Sequence, residues 1–465
     1  MNDRLELTPA QMRSLGHRVA DLITDHYISM RGKPVGAKGD PAVMRPAMRQ
    51  PPPRDPLSED EIFARLENDV FPNIMNISHP RFFAFVPGPS NFVSAMAEAL
   101  AAGFNVFNGS WLGGSSAAAI ELSVIEWFRG WCGFPETAGG LFVSGGSMAN
   151  LTALVAARHS MLDDRTEGAV IYYSDQTHSS VDRAMRVIGF RQDQIRRIPS
   201  DARFRLPMDV LTAVVHQDRA AGLRPFAVIA NAGTTNTGSI DPLHDIAEFC
   251  ASNQMWMHVD GAYGAAATIS DRGRKLLDGI ERADSLSFDP HKWLFQNIEC
   301  GCVLLRDASL LKKTFIILPE YLEDVHHDLQ EVNPCDYGIQ LTRGFRALKV
   351  WMSMQYFGLD AFKAAVERGM HLAEYAEEKI RELRDWEIVT PAHMGIVTFR
   401  HREAPDSFYQ ELYNAQLQDG WGLATSTILK GRKALRFCTI NPRTTESDVE
   451  HIVNWINRLS RELLD

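Results

Sequence analysis

The sequence predicts an α/β protein whose mostly parallel central sheet is covered by helices on both faces. Three observations indicate this fold class. Five short β-rich runs alternate with helical runs through the middle of the chain, polar side chains follow each run directly, and a helical segment precedes them all. At 465 residues, 45% of them hydrophobic, the chain is long enough for a large core and a second, smaller domain.

The charge and hydropathy of the chain exclude two classes of partner. Lys and Arg number 48 against 58 for Asp and Glu, and no long basic run is present that could neutralise a nucleic-acid backbone. No window approaches the ~20 apolar residues that cross a bilayer, and no apolar stretch follows Met1. We therefore expect a cytoplasmic protein without nucleic-acid or membrane partners. Six sparse cysteines predict neither a disulfide scaffold nor a metal site.

The first segment predicts a helical arm. Thr8-Pro9-Ala10-Gln11 combines a capping hydroxyl, a proline at the first helical position and a glutamine three residues after the cap. The apolar stripe that follows needs a second surface, so we expect a docking arm or dimer contact. The stripe comprises Met12, Leu15, Val19, Leu22 and Ile23. Seven prolines from Pro34 to Pro56 predict an extended connector, after which Ser58 to Glu61 restarts a helix.

Five β-rich runs predict the strands of the central sheet. They are Gly140 to Val143, Ala169 to Tyr173, Ala227 to Ala230, Trp256 to Val259 and Ser285 to Phe288. Between the third and fourth runs, Asp241-Pro242 opens a helical run to about Gln254, which completes a βαβ unit.

The last part of the chain predicts a small α+β domain. Its elements are a helix over Ala361 to Leu383, a strand over Gly395 to Phe399 and a last helix from Thr445. We therefore divide the chain into an N-terminal arm and connector over residues 1–75, a large α/β domain over 76–357 and a small domain over 358–465.

Polar loops follow all five predicted strands. The loops are Ser144 to Ser147, Asp175 to His178, Asn231 to Thr235, Asp260 to Tyr263 and Asp289 to Lys292. In an open parallel sheet, ligands bind in the crevice outside the carboxyl ends of the strands. We therefore expect the five loops to line one crevice.

Four features of these loops suggest chemistry, and each has an ordinary structural alternative. Ser144 to Ser147 precedes a helical run and could hold a phosphate on backbone N–H groups, although a tight turn has the same composition. Asp260 ends a strand, where a buried carboxylate needs a cation such as a protonated pyridine; a solvated aspartate is the alternative. Lys292 precedes Trp293-Leu294-Phe295, which would desolvate its amine, lower its pKa and make it nucleophilic; a surface charge is the alternative. His178 suits a flat ring, a substrate carboxylate or a structural role.

Three motifs together resemble the aromatic-L-amino-acid decarboxylase family, the group II pyridoxal 5'-phosphate (PLP) decarboxylases. They are Asp175-Gln176-Thr177-His178-Ser179-Ser180, His258-Val259-Asp260-Gly261-Ala262-Tyr263-Gly264 and Asp289-Pro290-His291-Lys292-Trp293-Leu294. The similarity extends through most of the chain, and the spacing of the aspartate and lysine motifs makes it specific. The resemblance implies PLP as cofactor and the aspartate-aminotransferase-like fold of PLP-dependent transferases (fold type I). It also implies an obligate homodimer with the active site at the subunit interface.

The same resemblance implies a role for each matching position. Lys292 would bind the cofactor covalently, Asp260 would pair with the pyridine nitrogen and His178 would stack on the ring. The further cofactor contacts would be Gly146 and Ser147 in the phosphate loop, Thr235 and Ala262 at the ring, and His291 beside the phosphate. The substrate pocket would be shaped by Phe83, Phe85 and Pro87, with Phe107 in the loop that is offered to the neighbouring subunit.

Two departures from the family pattern bear on function. Val86, Gly88 and Gly109 stand where many relatives are bulkier, which implies a roomier or differently shaped substrate pocket. Pro334 stands where animal and plant relatives carry a tyrosine, in a mobile loop, that returns a proton to the substrate. The nearest tyrosine here is Tyr337.

We therefore predict PLP-dependent decarboxylation of an L-amino acid to its amine and CO2. The resemblance implies an aromatic substrate: tyrosine, dopa, tryptophan or phenylalanine. Two other outcomes stay open. The misplaced loop tyrosine allows oxidative decarboxylation and deamination to an aldehyde. Gly145 to Ala149 also resembles a nucleophile elbow, and Ser147, Asp260 and His291 follow the chain order of an α/β-hydrolase.

Overall fold

The computed structural model describes residues 5–317 and 331–464. Its helices are α1 (Pro9–Ser29), α2 (Pro41–Met48), α3 (Glu59–Arg65), α4 (Phe92–Gly103), α5 (Trp111–Trp131), α6 (Gly146–Leu162), α7 (Ser179–Val187), α8 (Met208–Ala220), α9 (Leu243–Asn253), α10 (Asp271–Leu276), α11 (Pro290–Trp293), α12 (Ser309–Phe315), α13 (Ala347–Phe357), α14 (Leu359–Arg381), α15 (Asp406–Asp419) and α16 (Glu446–Leu464). Its strands are β1 (Gly139–Val143), β2 (Ala169–Ser174), β3 (Ile195–Ile198), β4 (Arg224–Asn231), β5 (Trp256–Asp260), β6 (Ser285–Phe288), β7 (Gly301–Leu305), β8 (Trp386–His393), β9 (Ile396–His401), β10 (Thr425–Leu429) and β11 (Arg432–Cys438).

The central sheet has seven strands in the order β1-β7-β6-β5-β4-β2-β3. Strands β2 to β6 are parallel to their neighbours among themselves, whereas β7 is antiparallel to both β6 and β1. Since β1 and β6 are both antiparallel to β7, β1 runs in the same direction as β2 to β6. Six carboxyl ends therefore meet at one edge. The prediction of a mostly parallel sheet is confirmed, and all five predicted runs are strands in it.

The N-terminal segment contains one helix that the sequence did not predict. Helix α1 begins with the predicted capping box between Thr8 and Gln11, and none of its residues is buried. The proline-rich stretch was expected to be extended throughout, but Pro41–Met48 forms α2. The Asp40 side chain accepts a hydrogen bond from the first turn, and Pro41 occupies a position where no N–H is needed. The extended prediction was therefore wrong for these residues.

Apolar clusters cover both faces of the central sheet, and a third lies in the small domain. That domain has an antiparallel sheet in the order β10-β11-β9-β8, packed against α14 and α15, and α16 packs on these two helices. Phe83 belongs to this third cluster. Its ring stacks on Phe437 at 5.2 Å, and its backbone pairs with Leu423 and Cys438. The division of the chain at residues 75 and 357 stays a prediction. In the described residues, no helix has both the length and the apolar character to span a bilayer.

A buried ion pair fastens α5 to the end of β1, just before the Ser144 loop. Arg343 Nη2 lies 2.6 Å from Glu121 Oε1, and the two side chains are only 1% and 3% exposed. The same Glu121 oxygen accepts the Phe142 N–H, while Arg343 donates to the Phe142 carbonyl. Asn108 donates to the other Glu121 oxygen. Because both side chains also bond the backbone of Phe142, the pair ties α5 to the end of β1.

We expect Glu121→Gln to lower the free energy of unfolding by about 3–5 kcal/mol, because Arg343 is left as a buried charge without its counter-ion. Urea denaturation followed by circular dichroism measures this change. Glu462→Gln is the matched control, since it breaks a pair with Arg458 whose side chains are 61% and 69% exposed. It should cost at most about 0.5 kcal/mol. Equal losses in the two variants would contradict the role of the buried pair.

Candidate active site

A cavity of about 480 Å³ opens at the carboxyl edge of the central sheet. This volume falls in the range of roughly 300–1,000 Å³ that is typical of small-molecule sites. All predicted cofactor residues line it: Gly146, Ser147, His178, Thr235, Asp260, Ala262, His291 and Lys292. The sequence analysis assigned no role to several other lining residues, which include Asn150, Ser180, Asn231, Tyr263, Asp289, Ile298 and Glu299. The structure thus brings the five loops together, and the individual roles stay predictions.

One end of the cavity has the features of an anion site. Helix α6 begins at Gly146, and Gly145 before it provides no side-chain cap. The N–H groups of Gly146 and Ser147 are therefore available to a phosphate at the positive end of the helix. A Cβ atom on Gly146 would lie 2.9 Å from both the Ala262 Cβ and Asp289 Oδ2. Only glycine permits so close an approach.

The Asp260 carboxylate ends β5 and is held by three donors. Oδ1 accepts from the Ala262 N–H at 3.2 Å and from Ser287 Oγ at 3.1 Å. Oδ2 accepts from Asn150 Nδ2 at 3.0 Å. All three donors are neutral, so the carboxylate keeps a charge that a cationic ligand group can balance. A protonated pyridine nitrogen fits this requirement.

Lys292 lies beside a carboxylate that the sequence analysis overlooked. Its Nζ is 2.9 Å from Asp289 Oδ2, because α11 places the two residues one turn apart. Burial acts to lower the pKa of the Lys292 amine, but the charge and hydrogen bond of Asp289, with Asp260 behind it, outweigh burial and raise the pKa. The expectation of a lowered pKa was therefore wrong. Asp289 opens the lysine motif, and its spacing of three residues from Lys292 was the available signal.

His178 presents one ring nitrogen to the cavity as a donor. Its Nδ1 accepts from the Ser180 N–H at 3.2 Å, since His178 caps α7. Burial lowers the pKa of His178, which favours the neutral ring. A neutral ring that accepts at Nδ1 carries its proton on Nε2. That N–H is available to a bound ligand.

The predicted substrate-pocket residues do not line the cavity of the single chain. Phe83 is in the core of the small domain and Pro87 is buried, while Phe85 and Phe107 are exposed. Phe83 cannot line the pocket of its own chain, because its ring packs on Phe437 in the core of the small domain. The exposed rings of Phe85 and Phe107 have free faces that a second surface could cover.

Of the two expectations for the small residues, a roomier pocket is wrong at Gly88 and Gly109, and a differently shaped pocket stays a prediction. A Cβ atom on Gly88 would lie 2.6 Å from the His291 carbonyl oxygen. On Gly109 it would lie 2.2 Å from the Leu341 carbonyl oxygen. Backbone therefore fills the space that larger side chains would take. The two glycines permit close chain packing and open no cavity.

Neither Pro334 nor Tyr337 reaches the cavity. Pro334 is buried, and Tyr337 packs against the apolar cluster that contains Leu141 and Leu311. Burial, and then the neighbouring Asp336 charge, raise the pKa of the Tyr337 hydroxyl. Tyr337 therefore supplies no proton to the cavity of its own chain.

The geometry contradicts the α/β-hydrolase hypothesis. His291 Nδ1 lies 2.7 Å from the Cys300 carbonyl oxygen, and its Nε2 faces Asp289 at 3.7 Å. Within the described residues, no hydrogen bond joins Ser147 to His291 or His291 to Asp260. A serine without a hydrogen-bonded base is not an activated nucleophile. The residues follow the right chain order but form no triad.

The small domain contributes a buried cation that sequence reasoning missed. Arg436, on β11, donates to the Thr235 carbonyl oxygen at 2.5 Å, and burial lowers the pKa of its guanidinium. Its Nε atom is buried without a hydrogen-bond partner. Nothing in the strand pattern around Arg436 distinguishes it from an ordinary charged residue.

No group of three or more potential metal ligands occurs within residues 5–317 and 331–464.

Comparisons with known proteins agree with this geometry. The pyridoxal-dependent decarboxylase conserved domain matches residues 41–402. The aromatic-L-amino-acid decarboxylase of Bacillus atrophaeus is 44% identical over 471 residues, which cover 100% of this chain and 98% of that protein. The phenylacetaldehyde synthase of Petunia hybrida is 30% identical over 485 residues, with 99% and 96% covered. The solved structure of Oryza sativa TDC with PLP and tryptamine has a TM-score of 0.93 at 29% identity, with 99% and 100% covered.

We expect Asp289→Asn to lower the pKa of Lys292, because it removes the anion that raises it. Attack on an aldehyde needs the neutral amine, so uptake of PLP by the apoprotein should become fast at a lower pH than in the wild type. Stopped-flow absorbance over a pH series measures the midpoint. Asp271→Asn, which removes the same charge at an exposed position, is the control and should leave the midpoint unchanged. An unshifted midpoint in Asp289→Asn would contradict the assignment.

Proposed function

Because this chain belongs to the pyridoxal-dependent decarboxylase family, we propose that it removes the α-carboxylate of an aromatic L-amino acid as CO2 and leaves the amine. The predictions of the family, the aspartate-aminotransferase-like fold and PLP as cofactor are confirmed. One observation carries the proposal: Asp260 and Lys292 follow neighbouring strands into one cavity, with the helix terminus of α6 beside them. The cytoplasm as location, and the absence of nucleic-acid and membrane partners, stay predictions.

The residues of the cavity have different roles in such a reaction. PLP, when bound, withdraws electrons from the substrate α-carbon, so that the bond to the carboxylate can break. The Lys292 amine is the nucleophile that attaches the cofactor, and the Asp260 carboxylate holds a proton on the ring nitrogen. The N–H groups of Gly146 and Ser147 bind the phosphate. The Nε2–H of His178 is a donor to the ring or to the substrate carboxylate.

A second outcome on the same cavity is oxidative decarboxylation and deamination to an aldehyde. Two observations favour keeping it as a candidate. The relative from Petunia hybrida is named for an aldehyde product, and Tyr337 lies away from the cavity. If Tyr337 does not return a proton to the α-carbon, the electrons left by CO2 could instead reduce oxygen to peroxide.

A panel of tyrosine, dopa, tryptophan and phenylalanine, assayed for amine, CO2 and peroxide in the same reaction, tests the proposal. We expect amine and CO2 in equal amounts and no peroxide. Aldehyde with stoichiometric peroxide would establish the second outcome. Lys292→Ala should lower kcat by at least about a hundredfold. Lys363→Ala, at a half-buried lysine outside the cavity that pairs with Asp360, should retain wild-type activity.

The chain forms a homodimer in which each subunit helps to complete the other's active site. Three features support this part of the proposal. Helix α1 spans 21 residues, none of them buried, although one side of it is apolar. The rings of Phe85 and Phe107 are exposed, and Phe104 and Leu112 are exposed on the same stretch of chain as Phe107. So much exposed apolar surface is typical of an interface.

Sedimentation analysis should find a particle with the mass of two chains. Leu22→Glu should shift it toward one chain, because it introduces a charge into the apolar stripe of α1. His17→Glu changes the opposite side of the same helix, so it serves as control and should leave the mass unchanged. A wild-type protein that sediments as one chain at micromolar concentration would contradict the dimer.

A further inference from the structure

A chain of buried hydrogen bonds leads from the start of β5 to the Asp260 carboxylate. Trp256 Nε1 donates to Ser285 Oγ at 2.8 Å, and Ser285 Oγ lies 2.8 Å from His258 Nδ1. His258 Nε2 lies 2.9 Å from Asn150 Oδ1, and Asn150 Nδ2 donates to Asp260 Oδ2 at 3.0 Å. Because side chains two residues apart on a strand share a face, β5 places three of these five residues in a row.

Only one assignment of donors satisfies this chain. The Trp256 indole can only donate, so the Ser285 oxygen accepts from it and the Ser285 hydroxyl hydrogen is free to bond His258 Nδ1. His258 Nδ1 then accepts, and Nε2 carries the proton toward Asn150 Oδ1. The reverse assignment would turn the Asn150 oxygen toward the Asp260 carboxylate, and two acceptors at 3.0 Å repel each other.

The burial of His258 favours the neutral ring that this assignment requires. His258 is completely buried, and burial lowers its pKa to about 4, so the ring is neutral at neutral pH. A neutral ring has one donor and one acceptor, as the chain requires. Asn150 has a second contact that matters: its Nδ2 also donates to Ser180 Oγ at 2.9 Å, and Ser180 holds Nδ1 of His178. One amide orientation therefore serves both Asp260 and His178.

We propose that His258, which does not itself line the cavity, is a positioning residue that fixes the Asn150 amide and through it the charge and direction of the Asp260 carboxylate. The inference rests on the proposed function, since it uses the pairing of Asp260 with the pyridine nitrogen. Without His258, the Asn150 amide can rotate, and Asp260 loses one of its three donors. The ring nitrogen then loses its proton more readily, and the cofactor is held less tightly.

Four variants separate a positioning role from a merely structural one. His258→Phe keeps an aromatic ring, although a somewhat larger one, and removes both nitrogens. His258→Gln keeps an N–H donor near the Nε2 position. Ser285→Ala removes the hydroxyl that selects the tautomer. It is a smaller change, so it still tests the role if His258→Phe folds poorly. Trp256→Phe is the matched control, because it removes a buried hydrogen bond from the far end of the chain and leaves the bond from Ser285 to His258.

Two readouts are measured besides activity. Apoenzyme is titrated with PLP to obtain Kd, and the 15N chemical shift of PLP labelled at its pyridine nitrogen reports whether that nitrogen is protonated. We expect His258→Phe to raise Kd by roughly ten-fold, the loss of one hydrogen bond to a charged group, and to move the shift toward the unprotonated value. Ser285→Ala should change both readouts in the same direction. His258→Gln and Trp256→Phe should remain near the wild type in both.

The outcomes distinguish this inference from the proposed function. His258→Phe or Ser285→Ala with wild-type Kd and chemical shift would overturn the positioning role. So would Trp256→Phe with losses as large as those of His258→Phe, since that result indicates packing alone. Wild-type protein that binds no PLP, or makes no amine, would overturn the proposed function as well.

Discussion

A carboxylate at the end of β5 has to stay charged where little water reaches it, and much of the site is built around that requirement. Asp260 is only 8% exposed, and an anion in that position is costly unless donors surround it. Its donors come from α6, from β6 and from its own turn. The packing of α6 against β5 and β6 is therefore a condition for the charge as well as for the core.

The same edge of the sheet holds a second charged group, which is paired with an opposite charge instead of with neutral donors. Lys292 pairs with Asp289 inside the cavity, so without a ligand its amine is held as a cation. A reactive amine requires that the proton leave, and the nearby Asp289 carboxylate is the group in contact with it. The pair thus stabilises the charge of the half-buried Lys292 amine, and the reactivity of that amine depends on what enters the cavity.

Close backbone contacts set the outline of the cavity more than large side chains do. Gly146 brings the start of α6 against Ala262, and Gly88 brings the segment after Phe85 against the carbonyl of His291. From the small domain, Arg436 donates to the carbonyl oxygen of Thr235, a residue that lines the cavity. The aromatic residues expected to shape the substrate pocket are elsewhere, in the small-domain core or on the exposed surface of the chain.

The sequence by itself determined the local features and the parallel direction of the five predicted strands. Capping residues such as Thr8 and Ser58 were sufficient because their hydrogen bonds span three residues, and the period of the apolar runs predicted the sheet. The loops around Asp260 and Lys292 could be placed in one crevice because parallel strands end at one edge. The insertion of β7 between β1 and β6 could not be predicted, since a short apolar run does not specify its partners or its direction.

Only the tertiary structure decided the protonation and the contacts of the site. The pKa of Lys292 depends on a carboxylate that is 2.9 Å away in space, and its burial alone predicts the opposite direction. The tautomer of His258 depends on its hydrogen bonds to Ser285 on β6 and to Asn150 on α6. Phe83 has the residue type of a pocket wall and is used as core packing. Packing energies act over a few ångströms and electrostatic energies are strongest between groups in contact, so both depend on neighbours that distant parts of the chain supply.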